Sequence, residues 1–141
     1  MNKEEFDLKN IFGLGKFNEK YAEYFTSNSY LNPLTDSSCP IFMANVSFEP
    51  GCINNWHIHH AKTGGGQILI CTAGFGIHQI EGEKVQFLKP GDVVVVPANV
   101  KHFHGALKDS WFSHIVIEVP GEDTYIEWLE LVDYDKLVNN N

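Results

Sequence analysis

No apolar run in this sequence approaches the roughly 18 residues that a membrane-spanning helix requires. The first ten residues, MNKEEFDLKN, are polar and offer no apolar core of a secretory leader. Both features lead to the expectation of a cytoplasmic protein. Clustered positive charge is missing as well: 18 acidic residues stand against 10 basic ones, a formal net charge of -8. Duplex nucleic acid and anionic membrane surfaces, which are gripped through concentrated Lys and Arg, are therefore excluded as expected partners. Cysteine is scarce, with Cys39, Cys52 and Cys71 odd in number and without a CxxC spacing. A disulfide framework is not expected, and a reducing compartment fits. Nucleotide-binding loops are lacking too. Gly13-Leu14-Gly15 has no third glycine or preceding strand, and TGGGQ (63–67) is not followed by Lys-Ser/Thr.

What the chain does have is a long succession of short β-like runs. Its 141 residues, 43% of them hydrophobic, suffice for one domain with a real core. FMANVSFEPG (42–51) alternates large and small residues and stops at Pro-Gly. Further apolar, β-branched runs follow, closed at Ala73-Gly74, Glu81-Gly82, Pro90-Gly91 and Pro97-Ala98-Asn99, and SHIVIEV (113–119) reads as another strand. That rhythm belongs to antiparallel sandwiches and barrels. Two segments carry a helical pattern. NEKYAEYF (18–25) places Asn18 as an N-cap, and DTYIEWLELVDYDKL (123–137) puts Tyr125, Leu129 and Val132 on one side. The expected organisation is an arm with a short helix and an edge strand over residues 1–39, a barrel over 40–120, and a helix with the polar tail NNN over 121–141.

The histidines are not scattered. Six of the seven fall in three groups, at 57, 59 and 60, at 102 and 104, and at 114. On an extended strand alternate side chains share a face. His57 and His59 then point one way, Gln67, Leu69 and Cys71 share a face, and His102 and His104 point together with Phe103 turned away. If a barrel brings these faces together, the imidazole nitrogens suit a divalent transition metal. His78 has no such partner pattern and reads as a surface or hydrogen-bonded residue. Cys71 reads as a small core residue, and Asp92 as part of the Pro90-Gly91-Asp92 turn.

At these residues the chain resembles a cupin. The first cupin motif matches Gly51, CINNW, His57-Ile58-His59, a spacer, Gln67, ILICTA and Gly74. The second matches Gly91, DVVVV, Pro97-Ala98-Asn99, VK, His102, FHG and Ala106. The match spans roughly residues 42–119. A closer likeness is to small cupins associated with carboxymuconolactone decarboxylases and to bacterial manganese-dependent hydroxynitrile lyases, which share the glutamine where most cupins have glutamate. The resemblance implies an all-β antiparallel double-stranded β-helix, a jelly-roll barrel, with short terminal helices. It also implies one divalent metal (Mn, Fe, Ni, Co or Zn, with Mn favoured) held by His57, His59, Gln67 and His102. Three positions depart from the pattern. The spacer HAKTGGG is long, and His60 stands as an alternative to His59, which keeps the His-x-His parity. Asn99 replaces a glycine, and Asn tolerates a positive φ. Ala106 replaces an asparagine.

Three neutral imidazoles and a neutral amide leave such a metal its full double charge, a strong Lewis acid for a hydroxyl or carbonyl. His104 is the candidate general acid/base, and His114 a second candidate facing the same cavity. A small-molecule substrate follows, and the expected activity is that of a metal-dependent lyase or isomerase. A non-catalytic sensor, an accessory subunit of a decarboxylase-like enzyme, and an Fe(II) dioxygenase are the alternatives. The apolar N-terminal segments FGLGKF and YAEYF suggest a homodimer covered by these arms, or an arm folded back on its own barrel.

Overall fold

Thirteen short strands make up most of the fold in a computed structural model that describes residues 1–139, with Val138 and Asn139 described by backbone alone. After helix α1 (Lys3–Lys9), the strands are β1 (Lys16–Phe17), β2 (Ser29–Pro33), β3 (Met43–Phe48), β4 (His57–His60), β5 (Thr63–Gly64), β6 (Gln67–Gly74) and β7 (Gly76–Ile80). They continue with β8 (Gln86–Leu88), β9 (Val93–Val96), β10 (Lys101–Ala106), β11 (Phe112–Glu118), β12 (Gly121–Glu122) and β13 (Tyr125–Trp128), before helix α2 (Tyr134–Asn139).

Hydrogen bonding arranges them as a six-stranded sheet, β1-β2-β3-β11-β6-β9, and a five-stranded sheet, β13-β4-β10-β7-β8, with β12 and β5 as a separate ribbon. The strand pairs are antiparallel. The expected jelly-roll barrel is therefore present, and strands from both chain ends complete its sheets. Its apolar filling comes mostly from the six-stranded sheet, through Val46, Phe48, Leu69, Cys71, Val96, Phe112 and Val116, with Leu88 and Ala106 added from the five-stranded one. Phe48 and Phe112 pack with ring centroids 5.9 Å apart. Phe48 also lies 5.9 Å from the His104 ring and 5.3 Å from the His114 ring, and so forms an apolar floor under the histidines.

Two elements differ from their sequence patterns. The segment 18–25 holds only a 3₁₀ turn over Ala22–Tyr24, and Asn18 caps nothing. Its side chain instead donates to Ser29 Oγ at 3.3 Å. The backbone here is drawn into the barrel: Phe25 bridges Asn54, and the Thr26 amide donates to Ile53 O. Those pairings, with the Asn55 amide donating to Tyr24 O, hold Phe25 extended and end the turn there. The segment 123–137 is likewise not one helix. It forms strand β13 and, six residues on, the short α2. Strand β4 would otherwise present an unpaired edge, and β13 covers it with Tyr125 opposite His60 and Trp128 opposite His57. A Thr-Tyr-Ile-x-Trp stretch suits a pleated edge better than a helix, whatever its apolar spacing. The polar tail beyond Asn139 lies outside the described residues.

The arm folds back on its own barrel. β1 and β2 extend the six-stranded sheet beyond β3, and Asn10 donates to Ser47 Oγ at 3.1 Å, fixing the end of α1 to the sheet's outer face.

Candidate metal centre

Strand β4 alternates as its residues require: His57 and His59 are buried, Ile58 and His60 half-buried on the other face. His60 stacks on Tyr125, and its Nε2 lies 2.7 Å from Glu127 Oε1. The His59 side chain, not that of His60, enters the barrel. In the neighbouring strand β10, His102 stands opposite His57, and His104 lies two residues on along the same face. The long spacer does not displace Gln67. Its residues form β5, pair with β12, and return the chain through Gly66 to the start of β6. Gly66 has φ +93°, and a Cβ there would sit 2.5 Å from Val96 O, so this return needs glycine.

Asn99 takes φ +68°, and the turn survives the loss of glycine. The asparagine adds something glycine lacks. Its Oδ1 accepts from the Ala61 amide at 2.9 Å, its Nδ2 donates to Ala61 O at 3.1 Å, and its backbone amide donates to His59 O. The strand is thus clamped just past His59. Ala106 is a wholly buried core residue with no polar role. Asp92 serves its turn, accepting from the Lys89 amide at 2.9 Å, and Cys71 is buried in the core.

Ring centroids of His57 and His102 lie 4.2 Å apart, with His59 at 5.1 Å from His57 and 5.6 Å from His102. One ring nitrogen each of His57, His102 and His104 lie mutually within 4.8 Å. Hydrogen bonding separates their roles. His104 is engaged on both sides: Asn54 Nδ2 lies 3.3 Å from its Nε2, and His114 Nε2 lies 3.2 Å from its Nδ1. His57 donates from Nδ1 to Asn55 O at 2.8 Å, which leaves the lone pair on Nε2. Among the buried atoms without a hydrogen-bond partner are His59 Nε2, both nitrogens of His102 and Gln67 Oε1. Such orphans are costly unless something meets them. Imidazole nitrogens and an amide oxygen are donors a divalent transition metal accepts, so the residues fit the cation that the sequence motifs imply.

Burial keeps these imidazoles neutral. Desolvation, with some help from His59, lowers His57 to about 3, and desolvation alone lowers His59 to about 4. It also holds His102 and His104 well below the usual histidine range and brings His114 to about 3. Neutral rings are the form that binds metal or accepts a proton.

Three participants escaped the sequence reading. His78 is hydrogen-bonded, with Nδ1 2.8 Å from Gln86 Oε1, but it is buried rather than superficial, its ring 5.5 Å from that of His102. As a lone histidine it gave no pattern to read. Asn54 lies outside the strands, where its Oδ1 accepts from the His104 amide at 2.9 Å and its own backbone amide donates to His104 O. Glu118, whose Oε1 accepts from Gln67 Nε2 at 2.8 Å, shares a strand face with His114 and Val116, a parity that was readable.

Above the histidines opens a cavity of about 1080 Å³, lined by Tyr21, Phe25, Leu31, Val46, Val116 and Trp128 among others. Trp128 stacks on Tyr24 at 4.5 Å and lies 4.6 Å from the His57 ring. His57, His59, Gln67, His104 and His114 all line this space.

The cupin domain family matches residues 44–117, more than half of the chain. The chain is 37% identical over 113 residues to an (R)-mandelonitrile lyase from Granulicella tundricola, covering 79% of this chain and 83% of the relative. A cupin-like protein from Thermotoga maritima superposes with a TM-score of 0.77 at 36% identity, over 92% of this chain and 95% of the other. The lyase DddQ from Ruegeria pomeroyi, which acts on DMSP, shares the fold at 21% identity and a TM-score of 0.59, over 81% of this chain and 56% of the other. Barrel, paired histidine motifs and relatives agree, and the chain belongs to the cupin family.

Proposed function

We propose that this protein is a metal-dependent lyase that cleaves or forms a small hydroxyl/carbonyl compound, with a hydroxynitrile as the leading substrate class. The observation that carries the reading is the set of unpartnered donor atoms at His59, Gln67 and His102, beside the His104–His114 pair, with His59, Gln67, His104 and His114 lining an aromatic cavity. His57, His59, Gln67 and His102 would hold the cation, with Mn(II) favoured. Bound there, the cation supplies Lewis acidity toward an oxygen ligand, undiminished by any anionic ligand among these four.

The chain's own residues account for the rest. Trp128, Phe25 and Tyr21 line the space for the substrate's apolar part and exclude water from it. The neutral His104 accepts the hydroxyl proton as the O–H electron pair becomes the carbonyl π bond. The carbon–carbon bond to cyanide breaks, and cyanide departs with that bond's electron pair. The imidazolium then returns the proton to cyanide, so hydrogen cyanide and an aldehyde leave. His114, 3.2 Å from His104, shares the proton during its brief residence. The named activity of the Granulicella relative supports this substrate class.

The test is turnover of mandelonitrile and aliphatic cyanohydrins by protein loaded with Mn(II), Fe(II) or Zn(II). Aldehyde release that depends on metal supports the proposal. A metal-loaded protein that turns over no cyanohydrin, aldehyde or oxo-acid overturns it in favour of a sensor or accessory subunit.

A further inference from the structure

Glu118 occupies the last position of β11, directly opposite Gln67 at the first position of β6. Its Oε1 accepts from Gln67 Nε2 at 2.8 Å, and its Oε2 lies 3.5 Å from His59 Nδ1. A single carboxylate therefore touches two of the four residues assigned to the cation. No lysine pairs with it among the described residues, although it lines the inner cavity.

The amide of Gln67 has two ends of similar shape, and only the oxygen can bind a metal. A carboxylate is acceptor-only, so it captures the NH₂ end and turns Oε1 toward the histidines. That oxygen is buried and without a hydrogen-bond partner. Toward His59 the same group acts alike: an acceptor beside Nδ1 favours the tautomer with its proton there, leaving the unpartnered Nε2 as the donor. A neutral or apolar residue at 118 would permit the amide to rotate and present its NH₂ to the cation.

We infer that Glu118 is a positioning residue of the metal centre, orienting the Gln67 amide and the His59 ring and placing one negative charge just outside an otherwise neutral ligand set. The inference rests on the metal reading given under the proposed function, and it assigns the charge that a glutamine ligand omits to the next residue outward.

The test is the Mn(II) affinity of the full chain, measured by chelator competition, for wild type, Glu118→Gln, Glu118→Ala and the outward-facing control His60→Ala. Loss of an outer partner of this kind weakens metal binding by about 10- to 100-fold. That loss is expected in both Glu118 variants, with His60→Ala unchanged and the melting temperature of each metal-free variant close to wild type. Should Glu118→Ala fail to fold, the isosteric Glu118→Gln decides. Wild-type affinity in Glu118→Gln overturns the role of Glu118 while leaving the metal reading intact. A wild-type chain that binds no Mn(II) overturns the metal reading and this inference with it.

Discussion

His104 and His114 meet across the barrel, with Nε2 of His114 3.2 Å from Nδ1 of His104, although the first belongs to the five-stranded sheet and the second to the six-stranded one. Both rings are buried and kept neutral by desolvation. Two neutral imidazoles in contact can pass one proton between them but are poorly placed to hold two. On the proposed function, the pair would carry a proton beside the metal centre. His104→Ala should leave metal content unchanged and slow turnover by about 10²- to 10⁴-fold, the usual contribution of a positioned acid/base. If the variant loses its metal, His104 is a ligand and the proton passes to His114.

The same burial predicts a pH dependence for the metal-free protein. In the unfolded chain these histidines return to their ordinary value of 6.5, whereas in the fold His57 and His114 sit at about 3 and His59 at about 4. His78, His102 and His104 are lowered as well. Below pH 6.5 the unfolded chain therefore binds more protons than the folded one, and stability falls as pH falls. The urea midpoint should be nearly level above about pH 7 and drop steeply between about pH 6.5 and 4. A midpoint unchanged from pH 7 to 5 would show that the rings are not buried as described.

Gln67→Glu tests the value of a neutral ligand. An anionic oxygen at this position lowers the net charge of the centre, so metal should be retained more strongly while polarisation of the substrate oxygen weakens. Glu118 would then face a second carboxylate in place of an amide donor, 2.8 Å from where Gln67 Nε2 now lies. The expected result is slower metal loss to a chelator together with a lower kcat. A variant with unchanged kcat would contradict the assigned role of the amide.

Much of this site was legible because strand periodicity is two. Once His57-Ile58-His59 is extended, His60 must face outward, and it does, against Glu127. The motif spacing likewise placed Gln67 and His102 on the wall they occupy. What the sequence pattern did not reveal depended on which strands pair. β13 exists because β4 has an edge to cover, a non-local demand that overrode the helical spacing of Tyr125, Leu129 and Val132. Glu118 could be placed on the face of His114, but its contact with Gln67 follows from the β11–β6 register. His78 enters the cluster only because β7 lies beside β10.

Assembly is the next expectation. The arm lies on its own barrel, yet β9 ends the six-stranded sheet with Val93 and Val95 exposed. Unpaired apolar sheet edges favour association between copies, and we expect a homodimer. Light scattering at micromolar concentration should give about twice the chain mass of 15.9 kDa. A mass near 15.9 kDa would reject the dimer.

The central claim is that His57, His59, Gln67 and His102 hold one divalent cation at the base of the aromatic cavity. Its most direct test is metal analysis of the protein after exposure to Mn(II) and removal of excess, for wild type and for His57→Ala combined with His102→Ala. The wild-type chain should carry one metal and the double variant none, while both retain the β-rich circular dichroism of the barrel. A folded double variant that still carries one metal per chain would contradict the account.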